Sequence, residues 1–521
     1  MSRLKNYARS MMSSYAALGV AVLYNLAAVP LALHYLSKAE YGLWALSLQI
    51  AGYIALIDLG MGGSVTRILI DHKDDRASGR YGGVIQSGFW VGVAQAAIIL
   101  AAGFSLVWFL GSWLKVQPDL ARPFLWLMMG QVLLTAATFT TRLFNQLLVG
   151  WQRIDVSNYS GMSQLAVGFV VLWLAFHWGW GVFSLLAGAV AAWAWGVGFN
   201  VIACYRLGFL PRGGEWGHPT RERFRELFGF GAEVFLIVIG NQLITSSQTV
   251  LVSRQLGLVD AALWAVMTKA FMLVITIVWR IAGNAMPAFA EMHVRGEKER
   301  LWHRYRGLFL AANAFVVFCG IMFAVCNGPF VAVWTQHQFA WPAINNVLLG
   351  AWLVMAAQQS AHNQLVITLK QIGSLKYIYL VEGIVFVGTA LFILSYSGLT
   401  GMLVCSLAAT ILFTWATGVW RIGRLSGLGW KPLVWDWQMP ALKMLAVLVP
   451  CGLALVWLLR GAPDWLQLGV NGSVLSVVGL WAALRFAVPA DLVADVAQKL
   501  PALLQRPMNF LLAHIGRADP T

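Results

Sequence analysis

Arg142, Lys269 and Arg280 are cations set inside apolar runs of this 521-residue chain. A charge at the centre of a lipid-spanning helix costs about 2.5–3.5 kcal/mol, so such a side chain faces a cavity, meets a partner or snorkels to the surface. Lys269 and Arg280 are eleven residues apart. On one helix that is about three turns, which puts both on one face, about 16 Å apart along the axis. Arg142 shares a face with Asn145 and Gln146 by i+3 and i+4 spacing. Gln358, Gln359, His362 and Asn363 repeat the theme, and Asn241, Thr245 and Gln248 follow at i, i+4 and i+7. These stripes fit a wet, cationic cavity that attracts anions, with Arg and Lys suited to a phosphate or diphosphate and the amides to sugar hydroxyls. Two other readings stay open. Arg142 and Arg280 lie close enough to span ends to snorkel, and amide stripes also hold helices together.

The acids inside apolar runs are Asp58, Glu233 and Glu382, each a candidate for proton or cation coupling. For Asp58 a structural pair with Arg67, beside Gly60, Gly62 and Gly63, is the preferred reading. No catalytic set of residues stands out. Histidines in zinc-ligand spacing and a phosphate-binding loop are both missing. The cysteines Cys204, Cys319, Cys326, Cys405 and Cys451 lie in or beside apolar runs with no C-x-x-C pair. No metal, cofactor or enzymatic activity is expected.

The elements that carry these residues follow from composition. The chain is 59% hydrophobic and 11% charged, with a mean hydropathy of +0.71. Soluble domains run near 25% charged, so this is an all-α polytopic membrane protein, and disorder, fibres and disulfide scaffolds are excluded. Apolar segments long enough to span lipid lie at 12–34, 41–63, 84–110, 123–147, 160–177, 180–203, 231–253, 261–283, 307–327, 342–367, 377–396, 400–420, 441–459 and 467–487. That predicts about fourteen transmembrane helices. Arg3, Lys5 and Arg9 ahead of the first do not make a signal peptide, because the run is too long and lacks a cleavage site. The connections are short, and no outer loop is large enough to fold alone.

With the N-terminus in the cytoplasm, inside segments and termini, counting Lys443 and Arg485 at the inner ends of the last two spans, hold 28 of the 36 Lys and Arg, and outside segments hold Lys38, Lys115, Arg122, Arg254 and Arg460. This bias places both termini in the cytoplasm and makes the net charge of +15 topological rather than a sign of nucleic-acid binding. The tail from Leu492 to Ile515 either lies on the membrane as an amphipathic segment or frays at Pro501 and Pro507.

Leu43-Trp44-Ala45 returns as Leu263-Trp264-Ala265, and Asn145-Gln146-Leu147 returns as Asn363-Gln364-Leu365, at nearly equal offsets. These matches suggest two pseudo-symmetric six-helix bundles of parallel topology, with substrate between them, plus two C-terminal helices. The expected organisation is an N-lobe at 1–205, a cytoplasmic linker at 206–230, a C-lobe at 231–421, the last two spans at 422–487 and a cytoplasmic tail at 488–521.

Ala39-Glu40-Tyr41-Gly42-Leu43-Trp44, followed by Ile57-Asp58-Leu59-Gly60-Met61-Gly62 and Val65-Thr66-Arg67, resembles the start of the polysaccharide-transport branch of the MOP exporter superfamily (multidrug, oligosaccharidyl-lipid and polysaccharide exporters). The fourteen-span layout, the duplication and a Pro-Ala-x-x-Glu exit from span eight, Pro287 to Glu291, extend the likeness over most of the chain. The resemblance implies an inner-membrane flippase for undecaprenyl-pyrophosphate-linked oligosaccharides, serving O-antigen, capsule or exopolysaccharide assembly by ion-driven alternating access. The partners it implies are the polyprenyl-diphosphate-linked oligosaccharide, membrane lipids, and a polymerase and chain-length regulator of the same pathway. Members of that branch often carry an acid midway along span seven, where this chain reads Ser246-Ser247-Gln248. The alternatives are a cation-coupled multidrug exporter of the same fold, disfavoured by a cationic cavity, and a glycan polymerase or ligase, disfavoured by the missing outer loop.

Overall fold

The computed structural model describes residues 3–58, 61–72, 75–76, 78–114, 116–218 and 235–487, leaving aside the side chains of 3–8, 11, 62–64, 111–112 and 287. Glu233, Gly60, residues 219–230 of the expected linker and the whole tail lie outside the described residues.

Among the described residues the chain is helical throughout. It forms two compact units, Met1–Ala265 and Val266–Thr521. In the first, α1 is Arg3–Tyr35 and α2 is Lys38–Ile54, which ends in a 3-10 turn at Ala55–Asp58. Next come α3 at Met61–His72, α4 at Arg80–Trp113, α5 at Pro118–Thr141, α6 at Leu143–Gly150, α7 at Ile154–His177 and α8 at Phe183–Arg206. Then α9 covers 235–245, α10 is Ser247–Gln255, and α11, Leu258–Met267, carries the boundary between the units. The second unit holds α12 at Lys269–Val294, α13 at Lys298–Trp334, α14 at Ala343–Thr368 and α15 at Leu375–Thr410. A π turn at Ile411–Trp415 leads to α16 at Ala416–Ser426, then α17 at Trp430–Val434, α18 at Met439–Leu458 and α19 at Asp464–Ala482.

The Glu-Tyr-Gly element at the head of α2 has a physical explanation at each position. Ser37 caps the helix and Glu40 completes a capping box, its carboxylate accepting the Ser37 N–H at 2.8 Å. Tyr41 and Leu43 are buried. Gly42 lies against the Leu258 carbonyl of α11 so closely that any Cβ would collide with backbone. In lipid, helices associate through such close packing rather than through the hydrophobic effect. The second unit does the same where Gly320 of α13 meets Gly350 of α14.

Among the described residues twelve helices are long and apolar enough to cross a membrane, two fewer than the fourteen expected. One difference is continuity: Leu375–Ser426 is a single apolar stretch covering two expected spans, broken at Gly398, whose φ of 55° only glycine adopts readily. The other is polarity: α14 is 26 residues long, but its amides and histidine keep it outside the apolar set. Two further expectations change. Span eight is not one helix, because Thr268 interrupts it between α11 and α12. Its end also moves, because α12 runs past the expected edge at 283 and through Pro287 to Val294.

Candidate functional site

In the first unit three polar side chains meet where helices break. Asp58 ends the 3-10 turn after α2, Arg142 is the joint between α5 and α6, and Gln95 sits on α4. The Arg142 guanidinium donates through Nη1 to Asp58 Oδ1 in a short ion pair and through Nη2 to Gln95 Oε1 at 2.6 Å. Gln95 Nε2 donates to the carbonyls of Ile57 at 2.9 Å and Asp58 at 3.1 Å, so its amide is fully used. The guanidinium also lies 4.5 Å from the Phe139 ring centroid. The side chains of Arg142 and Asp58 keep 20% and 33% exposure, so the pair is partly solvated and can change partner. The spacing argument had offered Arg67 to Asp58. The fold also brings Arg142 to it, from 84 positions away. Beside Gln95 and Ile57 lies an apolar hollow of about 590 Å³, walled by α2, α4 and α9.

The other expected residues of this unit stand apart from the cluster. Asn145 is exposed and accepts the Ser157 hydroxyl at 2.6 Å, and Gln146 is half-buried. Asn241 and Gln248 do not share a continuous helix face, because the turn at Ser246 separates α9 from α10, and Gln248 is buried. At the start of α7, Asp155 takes Arg9 at 3.3 Å and Arg153 at 3.0 Å, tying α1 to α7. A hydrogen bond with Tyr159 and then the charge of Asp155 hold Arg9 above the usual arginine value, so it stays protonated.

In the second unit Lys269 opens α12 and is half-buried. A cation in a helix's first turn opposes the macrodipole, at a cost of about 0.3–1 kcal/mol. Among the described residues no hydrogen-bond or ion-pair partner offsets that cost. Arg280, on the same helix, is exposed between exposed Trp279 and Ile281, so the two cations meet different surroundings despite their shared spacing.

Polar groups otherwise gather where α14, α15 and the π turn meet. Tyr379 Oη accepts Gln359 Nε2 at 2.8 Å and Asn363 Nδ2 at 3.1 Å. Glu382, one turn further along α15, is 1% exposed. Thr414 of the π turn lies against it. Asn363 Oδ1 is a buried oxygen without a hydrogen-bond partner among the described residues, and the buried Glu382 carboxyl has Thr414 beside it. A buried carboxyl with so few polar neighbours is costly, and π turns are frequent at functional sites. A second network joins Asn313, Gln358, Gln438 and Trp415 at 2.8–3.1 Å. His362, stacked on Phe309, shares a 2.8 Å hydrogen bond with Tyr305.

The sequence reading missed Gln95, Asn313, Tyr379 and Thr414. Gln95 and Asn313 are lone amides in otherwise apolar runs, a signal it could have used. Nothing in the local spacing of Tyr379 and Thr414 separates them from ordinary span residues.

The model of a family described as "Polysaccharide biosynthesis protein" matches residues 5–293. None of the curated proteins compared matches the chain in sequence. Among solved structures, an inward-facing multidrug resistance MATE transporter of the MOP superfamily superposes with a TM-score of 0.66 at 14% identity, covering 78% of this chain and 95% of its own. An outward-facing structure of such a transporter gives a TM-score of 0.57 at 14% identity, covering 81% and 96%. A MOP superfamily transporter from Pyrococcus furiosus, described as having a binding pocket of reverse polarity, gives 0.53 at 14% identity, covering 81% and 96%. At this identity the likeness is one of fold.

Proposed function

Because the chain belongs to the polysaccharide biosynthesis protein family, we propose that it is a flippase that carries undecaprenyl-pyrophosphate-linked oligosaccharide across the bacterial inner membrane, with both termini in the cytoplasm. Its family and fold are those of multi-pass membrane transporters. The observation that carries the substrate class is Lys269, a half-buried lysine in an apolar helix without a partner among the described residues. Such a group is stabilised by an anion that comes and goes, and a diphosphate is the anionic part of a lipid-linked sugar. In the first unit Arg142, held by a carboxylate it can exchange, is a phosphate ligand in its own right, and Arg280 of the second unit is a further candidate. Asn145, Gln146 and Asn241 of the first unit are the amides left for sugar hydroxyls, since Gln359 and Asn363 already donate to Tyr379 and Gln248 is buried.

Glu382 is the coupling carboxylate in this reading. Its buried carboxyl beside Thr414 suits a proton or a small cation whose binding alternates with transport. Asp58 keeps Arg142 neutralised while substrate is away.

The test is complementation of a strain lacking this gene, scoring surface glycan at matched protein level. Lys269→Ala removes a charge-assisted contact worth about 1.5–3 kcal/mol and abolishes surface glycan. Lys269→Arg keeps the charge and retains part of the activity. Normal glycan in Lys269→Ala and Arg142→Ala alike refutes the assignment. A deletion strain hypersensitive to cationic drugs, with intact glycan, establishes a multidrug exporter instead.

A further inference from the structure

The hollow in the first unit has the wrong chemistry for a sugar. Its walls are side chains such as Leu56, Ile57 and Ile98 on one side and Phe235, Ile239 and Leu243 on the other. Gln95 reaches the wall, but both ends of its amide are already spent on the Ile57 and Asp58 carbonyls and on Arg142. Tyr53 adds one phenol. A sugar placed there would lose its water and find few partners, at a cost of a few kcal/mol per unpaired hydroxyl. A hydrocarbon would lose nothing.

The polar side of the same wall carries one cation. Arg142 sits directly behind Gln95, and its charge is met by a single, partly exposed carboxylate from Asp58. Hydrocarbon space with a guanidinium one residue behind its wall, reached past Gln95, is the complement of a molecule with an apolar chain and a phosphate head. At about 30 Å³ per water-sized group, 590 Å³ takes about twenty heavy atoms, or about four five-carbon isoprene units.

We propose that this hollow seats the head-proximal isoprene units of a polyprenyl diphosphate, with Arg142 exchanging Asp58 for a phosphate oxygen as the carrier enters. The inference rests on the flippase reading and deepens it. Asp58 stands where the phosphate is to stand. A diphosphate carries more negative charge than one carboxylate and presents more acceptor oxygens to the guanidinium. The exposed side of Asp58 lets water take over once it is released, so the exchange does not strand a buried charge. The apolar wall rejects the glycan end of the substrate, which orients the carrier with its chain in the hollow and its sugars away from it.

The experiment uses the full chain in nanodiscs of zwitterionic lipid with farnesyl diphosphate as the probe, compared with inorganic pyrophosphate and farnesol. Flipping of lipid-linked oligosaccharide by the same preparation in proteoliposomes is measured in parallel. Ile98→Trp fills the hollow from a position that is 53% exposed, which protects folding, and Leu56→Trp fills it from a second helix element. Farnesyl diphosphate is expected to bind the native protein at least tenfold more tightly than pyrophosphate. Both tryptophan variants erase that difference and leave pyrophosphate binding unchanged. Asp58→Asn tightens farnesyl diphosphate about fivefold by removing the competing charge. Unchanged farnesyl diphosphate binding in both tryptophan variants, alongside normal flipping by the native protein, overturns the seat and spares the flippase reading. Equal competition by phosphatidylglycerol also overturns it, making the hollow an ordinary acyl groove. Neither binding nor flipping by the native protein overturns both.

Discussion

Replacing Gln95 by leucine separates the work of one buried amide from that of burial in general. Gln95 is 2% exposed and takes part in three hydrogen bonds, two to backbone carbonyls and one from Arg142 at 2.6 Å. The two neutral bonds are worth about 0.5–1.5 kcal/mol each and the charge-assisted one about 1.5–3 kcal/mol, and leucine strands the partners rather than replacing them. Allowing for the partial solvation of Arg142, the expected loss is about 2–4 kcal/mol. For a 265-residue unit, at about 2 °C per kcal/mol, this lowers the melting temperature in detergent by about 4–8 °C. Gln131→Leu is the matched control. Gln131 lies in the same unit, is 4% exposed, and its Nε2 is buried without a partner among the described residues. Removing an amide whose nitrogen is unsatisfied is expected to be neutral or stabilising. The assay is thermal unfolding of both purified variants by tryptophan fluorescence, with surface glycan scored in cells. Equal melting shifts for the two variants would refute the argument that satisfied and unsatisfied amides differ here, and with it the structural basis of the Arg142 cluster.

Glu382→Gln keeps the shape of a buried carboxyl and removes its charge; transport is expected to lose its dependence on the ion gradient, while retained dependence in a vesicle flux assay moves coupling elsewhere. Gly350→Ala places a methyl against the backbone of Gly320, 3.1 Å from its carbonyl carbon, and is expected to cost several kcal/mol and lower the yield of folded protein, as read by size-exclusion profile. Arg76 lies 5.1 and 4.9 Å from the Tyr81 and Trp151 ring centroids and donates to the Gly208 carbonyl at 2.9 Å. Arg76→Ala is therefore expected to loosen residues 207–218 and raise trypsin cleavage at Arg212; an unchanged digestion pattern counts against the clasp.

Much of the architecture can be read along one dimension, because lipid imposes a simple rule: a segment either buries its own backbone hydrogen bonds in a long apolar helix or does not cross. Runs such as Met12–Tyr35 and Phe183–Arg206 needed no partner to be recognised. The capping box of Ser37 and Glu40 is equally local, since both halves lie within one turn. Where the reading differed, a break was decided by one residue's conformation: Thr268 divides span eight and Gly398 divides a stretch that remains apolar throughout.

The polar residues divide the same way. That Asp58, Arg142, Lys269 and Glu382 are costly in lipid follows from their types and positions alone, as does the expectation that each needs a partner or a ligand. Which partner each one finds does not follow. Asn145 and Asn363 occupy matching tripeptides, yet one is exposed and the other buried against Tyr379. Lys269 and Arg280 share a helical phase, yet one is half-buried and the other exposed. Asp58 meets Arg142 across 84 residues, at a place where three helix ends happen to converge. Helical periodicity specifies the face of a residue but not what the neighbouring helices bring to that face, and that information resides in the packing.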